Sequence, residues 1–316
     1  MQLKILVTGG AGFIGSHVTD RFIQAGHEVV VLDNLVTGLR RNLNPKARFV
    51  EMDIRDRSGI EKLLTSERFD IIDHHAAQMD VRKSTDDPLY DAEVNILGSI
   101  NLIMNAARTG VKKFIYISTG GAVYGEPQRL PVEEQDAVNP ECQYGISKHT
   151  VEHYLYLYRF LYKLDYTVLR YPNVYGPRQN PKGEAGVIAI FAGKMLDGET
   201  PTIFGDGKAL RDYIYVADVA EANALALTRG AGEIINVGSE TGTSVGELYA
   251  YLKKSIGFHG EAKFAPLRPG EIQQIFLSGR KAKQVLGWSP QMTVERGLDA
   301  TVEWTRQVKA GGPWRS

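Results

Sequence analysis

The sequence predicts an α/β protein built on a doubly wound parallel sheet, followed by a smaller C-terminal α/β domain. Two observations carry this. Short β-branched apolar runs alternate with segments of helical period, and the first run passes through a glycine-rich turn directly into the first helical segment. Lys4–Thr8, Glu28–Leu32, Phe49–Met52, Asp70–His74, Lys113–Ser118 and Tyr166–Arg170 read as strands. Phe13–Ala25, Ile60–Ser66, Ala92–Thr109 and Ser147–Tyr162 carry apolar residues at three- and four-residue spacing and read as crossover helices. After Tyr171–Pro177 the texture changes, with Gly- and Pro-rich loops through Asn180–Gly186. Residues 1–173 are therefore expected to form the first domain and 174–316 mainly the second. Part of 205–238, including the helical stretch Ala217–Thr228, is expected to pack back on the first sheet.

Charge and cysteine content narrow the function classes. Lys+Arg and Asp+Glu both total 37 in 316 residues, so no overall field draws the chain to nucleic acid or to an anionic membrane, and neither is an expected partner. The single cysteine, Cys142, leaves no intramolecular disulfide and no thiolate-rich metal site, and fits a cytoplasmic location. The apolar run at Leu3–Val7 gives way to glycines too soon for a signal peptide or a membrane span.

The turn Thr8-Gly9-Gly10-Ala11-Gly12-Phe13-Ile14-Gly15 holds the chemistry of a dinucleotide site. Gly9, Gly12 and Gly15 permit a tight turn, close approach of a pyrophosphate to backbone N–H groups, and close helix-to-strand packing. The phosphates then lie at the positive end of the next helix. Asp33 ends the second strand 18 residues beyond Gly15, where a carboxylate accepts from both ribose hydroxyls and repels a 2′-phosphate. The expected fold is thus a Rossmann sheet and the expected cofactor NAD. Asp53 and Ile54, after the third strand, read as an adenine contact or as a loop cap.

In Gln143-Tyr144-Gly145-Ile146-Ser147-Lys148, a tyrosine and a lysine four residues apart share a helix face. A nearby ammonium favours the phenolate, so Tyr144 reads as a proton acceptor and Lys148 as its electrostatic partner. Two readings from other classes compete. His149-Thr150-Val151-Glu152-His153 fits an inverted zinc-peptidase pattern, and the same fold could serve as a non-catalytic dinucleotide-binding scaffold. The first lacks an evident third ligand and the second leaves Tyr144 and Lys148 idle. No metal is expected.

Taken together, Thr8–Gly15, Asp33-Asn34-Leu35, His74-His75-Ala76-Ala77, Asn95, Ser118–Gly125, Tyr144–Lys148, Leu169–Pro177, Gly205-Asp206-Gly207, Arg211-Asp212-Tyr213 and Arg268–Glu271 resemble the extended short-chain dehydrogenase/reductase family, and within it the UDP-glucose 4-epimerases. The resemblance spans nearly the whole chain. It implies oxidation of a nucleotide sugar at C4, rotation of the 4-ketosugar about its diphosphate link, and re-reduction on the opposite face. It implies a cofactor set that adds Phe13, Ile14, Asn34, Gly38, His75, Ala76, Ala77, Asn95, Tyr171 and Pro172, with Lys148 also on the nicotinamide ribose. On the substrate side it implies Arg211, Arg268 and Asn173 at the diphosphate, Val187, Thr202 and Phe204 at the uracil, and Gln78 and Tyr124 near the sugar, with Tyr213 and Glu271 completing the set. It also implies a homodimer through helices 92–109 and 147–162.

The chain departs from the resembled pattern at Gly120, where a Ser or Thr usually assists the tyrosine, so that role falls to Thr119 or Ser118. Sister 4,6-dehydratases and decarboxylases tend to carry carboxylates directly afterwards. Here Gly120-Gly121-Ala122 has none, which favours epimerisation. Specificity among UDP-glucose, UDP-N-acetylhexosamine, UDP-glucuronate and dTDP-sugars stays open, as each pocket contact is worth only about 1–3 kcal/mol.

Overall fold

A computed structural model describes residues 1–181, 186–267 and 272–311. In chain order the first half comprises β1 (Lys4–Thr8), α1 (Phe13–Gln24), β2 (Glu28–Asp33), β3 (Arg48–Glu51), α2 (Arg57–Glu67), β4 (Ile71–His74), α3 (Val81–Asp86), α4 (Pro88–Ala92), α5 (Ser99–Thr109), β5 (Lys113–Thr119), α6 (Gly120–Val123), α7 (Gln143–Tyr162) and β6 (Asp165–Tyr171). The remainder comprises β7 (Asn173–Tyr175), α8 (Val187–Leu196), β8 (Thr202–Phe204), β9 (Leu210–Arg211), β10 (Tyr213–Tyr215), α9 (Val216–Ala226), β11 (Glu233–Asn236), β12 (Thr243–Ser244), α10 (Val245–Ile256), β13 (Lys263–Ala265), β14 (Gln274–Ile275) and α11 (Val294–Lys309).

Seven parallel strands form the central sheet in the order β3-β2-β1-β4-β5-β6-β11. The order reverses between β1 and β4, and in doubly wound sheets ligands gather at the carboxyl ends of the strands around that point. Alternation along each strand explains why the runs are apolar throughout. Leu6, Val30, Ile72 and Tyr116 face the layer of α2, α5 and α7, while Val7, Val31, Ile115 and Leu169 face α1 and α9. Burial of each such aliphatic side chain is worth about 1.5–3 kcal/mol. Helix α9 lies against α1, joined by an Arg21–Glu221 pair at 2.6 Å, and β11 adds the last strand to the sheet. A separate core of Ile188, Phe191, Ile203, Tyr213, Leu248 and Leu298 holds the smaller half together.

The sequence reads 92–109 as one regular helix, and the structure interrupts it. Residues 93–98 form a π-type turn, and Gly98 there leaves room for Ile54, whose Cδ1 would lie 2.7 Å from an added Cβ. Such turns often mark functional sites, and this one carries Asn95.

Candidate active site

At the exit of β1 the backbone is packed too tightly for side chains. A Cβ on Gly9, which has φ +69°, would meet the Ala76 nitrogen at 2.6 Å, and one on Gly15 would meet the Gly9 carbonyl at 2.4 Å. Helix α1 begins at Gly12 with no side-chain cap, so its first N–H groups, including those of Phe13 and Ile14, have no capping side chain over them. Asp33 is buried at the end of β2. Its Oδ2 accepts from the Ala11 N–H (3.0 Å) and its Oδ1 from the Leu35 N–H (2.8 Å). Burial raises its pKa, against the pull of those two N–H groups. Gly38 closes over this carboxylate, since a Cβ there would lie 2.6 Å from Oδ1. A glycine cradle, an uncapped helix start and an inward carboxylate together fit a dinucleotide with free ribose hydroxyls.

Asn34 and Asp53 meet across the ends of β2 and β3 at 2.9 Å, and the Arg55 guanidinium beside Asp53 holds its carboxyl down at about 2. Ile54 turns inward and accepts from Asn101 through its carbonyl. At the exit of β4, His75 and Ala76 lie on Gly9, with Ala77 half-buried beside them. The His75 Nε2 sits 2.9 Å from the buried Asp73 Oδ1. Asn95 is consumed locally. It donates to the Gln78 carbonyl and to Asp91 Oδ1 and accepts from the Gln78 N–H, bracing the loop that leaves β4.

Tyr144 stands in the first turn of α7, half-buried, and Lys148 one turn later is fully buried with its Nζ 4.5 Å from the centre of the Tyr116 ring. Burial pushes the Tyr144 phenol above its ordinary value, with Cys142 and Asp91 adding to the effect. It pulls the Lys148 ammonium down to about 7, against the opposing charges of Glu152 and Asp91. Desolvation thus works against the charged form of both groups.

The strand-end hydroxyls differ in availability. Ser118 donates to Glu152 Oε1 at 2.6 Å in the interior, whereas Thr119 is half-buried at the start of α6. Gly120 has a packing reason to lack a side chain, since a Cβ there would meet Leu277 Cδ1 at 2.3 Å. No carboxylate occurs in α6.

Two residues expected near the sugar are hydrogen-bonded within the protein. Tyr124 is buried, donating to Asn236 Oδ1 (2.8 Å) and accepting from Arg170 Nη1 (2.7 Å). Gln78 donates to the Asp80 carbonyl and to Asp91 and accepts from the Asp80 N–H, which turns its amide into the loop. Tyr171 is likewise buried and accepts from Asn223, with Pro172 half-buried after it. Tyr213 belongs to the core of the smaller half.

Asn173 is exposed at the start of β7, its amide donating to the Asp212 carbonyl at 3.3 Å. Val187 opens α8, and Thr202 and Phe204 flank the buried Ile203 on β8, with Phe204 exposed. Arg211 donates to the carbonyls of Leu210, Gln273 and Ile272, which fastens β9 to the chain entering β14. Arg268 and Glu271 lie outside the described residues.

The zinc-peptidase pattern dissolves in three dimensions. Glu152, the base in that pattern, is buried and engaged by Arg170, Ser118 and His149, and His149 in turn meets His153 at 3.1 Å on the outer side of α7. Among the described residues no group of three or more His, Cys, Asp or Glu side chains is placed to hold a metal ion.

Asp91 and the pair Glu152–Arg170 escape the sequence reading. Asp91 is fully buried in α4, its Oδ2 accepting from Ser147 Oγ at 2.5 Å. Nothing local marks it. Arg170, by contrast, interrupts an apolar strand, a pattern that demands a buried counter-charge, and Glu152 lies four residues after Lys148 on the same helix face.

The chain is similar to known proteins along almost its whole length. A family model described as the NAD dependent epimerase/dehydratase family matches residues 5–238. The chain is 43% identical over 310 residues to a UDP-glucose 4-epimerase of Mycolicibacterium smegmatis, covering 96% of this chain and 99% of that one. The crystal structure of UDP-glucose 4-epimerase with UDP-glucose from Thermotoga maritima superposes with a TM-score of 0.95 at 47% identity, covering 96% of this chain and 99% of that one. That of the Thermus thermophilus UDP-glucose 4-epimerase in complex with NAD gives 0.92 at 43% identity, with the same two coverages.

Proposed function

The chain belongs to the NAD dependent epimerase/dehydratase family, and from that premise we propose that it is an isomerase, an NAD-dependent UDP-glucose 4-epimerase interconverting UDP-glucose and UDP-galactose through a 4-keto intermediate. The observation that carries this reading is Tyr144 and Lys148 on one face of α7, at the carboxyl end of the central strands, beside an α6 that offers no carboxylate for elimination. NAD, when bound, supplies a reversible hydride acceptor and a fixed positive charge on its oxidised ring. Tyr144 takes the proton of the C4 hydroxyl at its phenolic oxygen and returns it after the ketosugar has turned. Lys148, one turn along the same helix, is the cationic partner of that group, and Glu152 and Asp91 oppose the burial that draws its ammonium down.

The division of labour follows the sheet. Residues 1–173 carry the cofactor: Gly9, Gly12, Phe13, Ile14 and Gly15 face the diphosphate, and Asp33, Asn34, Gly38, Asp53 and Ile54 form the adenosine end. His75, Ala76, Ala77, Tyr171 and Pro172 form the nicotinamide end, with Asn95 bracing it. Residues 174–316 mainly carry the nucleotide sugar, with Val187, Thr202, Phe204 and Arg211 as its contacts, joined by Asn173 from the end of the first domain. The test is incubation with UDP-glucose, UDP-galactose, their N-acetyl forms and UDP-glucuronate. UDP-galactose formed from UDP-glucose is expected; turnover confined to another sugar replaces the substrate, and a dehydrated or decarboxylated product rejects the reaction.

Thr119 supplies the hydroxyl that Gly120 lacks. Thr119→Val is expected to lower kcat about 10- to 100-fold, the effect of removing one hydrogen bond that strengthens in the transition state. Ser118→Ala is expected to stay within about threefold, since the contacts of Glu152 with Arg170 and His149 remain. A larger loss in Ser118→Ala reverses the assignment.

The enzyme works as a homodimer in the cytoplasm. Ile146, Tyr156, Leu157, Phe160 and Leu161 are exposed along α7, with Leu97 beside α5, and clustered exposed apolar residues of this kind mark interaction surfaces. Among the described residues no helix is long and apolar enough to cross a membrane. Sedimentation is expected to give twice the chain mass, and Phe160→Glu the mass of one chain. A monomeric wild type removes the dimer.

A further inference from the structure

Glu152 and Arg170 take no part in the proton transfer, yet they touch each element that brings the reacting groups together. Both are buried. Glu152 Oε1 accepts from Ser118 Oγ (2.6 Å) and Arg170 Nε (3.0 Å), and Oε2 from Arg170 Nη2 (2.5 Å) and His149 Nδ1 (3.1 Å). Arg170 Nη1 continues to the Tyr124 hydroxyl, which donates to Asn236. The guanidinium on β6 thus meets Glu152 of α7 and Tyr124 at the end of α6, and through them Ser118 of β5 and Asn236 of β11. Resting on the epimerase reading above, we propose that Glu152 and Arg170 are positioning residues that hold Lys148 and Thr119 in a single frame.

The connections are short. Ser118 precedes Thr119, Arg170 precedes Tyr171, and Glu152 follows Lys148 by one helical turn. Stability alone does not account for the pair, because removing two charges from water costs about as much as their attraction returns, and well-packed apolar side chains often do as well or better. What a bidentate pair adds is direction, as its planar fork fixes the mutual angle of the strands and helix it joins.

Charge gives the arrangement a second consequence. Lys148 is faced by Glu152 from its own helix, by Asp91 from α4, by the Tyr116 ring from β5 and by His74 from β4. Of these, Glu152 and Asp91 oppose the burial that draws the ammonium down. Glu152 in turn meets Arg170, Ser118 and His149, and His149 contacts His153 on the outer side of α7.

Two variants of the full-length enzyme test this. Glu152→Gln keeps the shape and removes the charge. It is expected to lower kcat about tenfold, leave KM for UDP-glucose within about threefold, and move the alkaline limb of the rate profile to lower pH by about one unit. The double variant Glu152→Met/Arg170→Met leaves no unpaired charge. It is expected to keep its Tm within a few degrees while losing about 100-fold in kcat. Wild-type kcat with an unmoved pH profile in Glu152→Gln overturns the proposal, whether or not the double variant folds. So does a loss confined to KM. A wild-type enzyme inert toward every nucleotide sugar sinks the epimerase reading instead.

Discussion

Tyr144→Phe is expected to reduce turnover of UDP-glucose by about 1,000-fold, the usual worth of a positioned acid–base group, while bound NAD and KM stay within a few-fold of wild type. The substitution deletes one oxygen and keeps the ring that fills the first turn of α7. The loss then lies in kcat, because the phenolic oxygen acts on the C4 proton and not on the nucleotide that anchors the substrate. Burial raises the phenol's pKa and draws the ammonium of Lys148 down, so burial opposes the charged form of each group. Activity within tenfold of wild type, measured as UDP-galactose formed, contradicts the assignment.

Asp33→Ala is expected to weaken NAD on the order of 100-fold, since hydrogen bonds to a charged acceptor are worth about 1.5–3 kcal/mol each. Preference over NADP should narrow at the same time, as the carboxylate that repels a 2′-phosphate is gone. Its protonation carries a sign. Burial raises the folded-state pKa of Asp33, so as pH falls the acceptor is lost earlier than for an ordinary aspartate, and NAD affinity declines with it. Titration of both cofactors against wild type and variant, at neutral and mildly acidic pH, measures all three effects. An unchanged NAD to NADP ratio removes Asp33 from the cofactor site.

The parts of this molecule that are local in sequence are also the parts legible in it. Lys4–Thr8 is a strand in both readings, because five consecutive residues with β-branched and aliphatic character end at a glycine turn. Gly9 to Gly15, Asp33 and the spacing of Tyr144 from Lys148 needed only short-range geometry. What the pattern hides is long-range. In the π-type turn at 93–98, Gly98 meets Ile54 from another βα unit, a contact no helical period announces. Gln78 and Tyr124 occupy plausible strand-exit positions, yet their polar atoms are claimed by Asp80, Asp91, Arg170 and Asn236. Arg170 and Glu152 lie 18 residues apart and make sense only as a pair.

One isotope experiment tests the central claim most directly. UDP-glucose carrying deuterium at C4 is incubated with the enzyme and the product examined by NMR. The account predicts UDP-galactose with the deuterium still at C4, because the same hydride leaves and returns to one carbon. Deuterium found at C6, lost to water, or recovered only in unchanged substrate contradicts it.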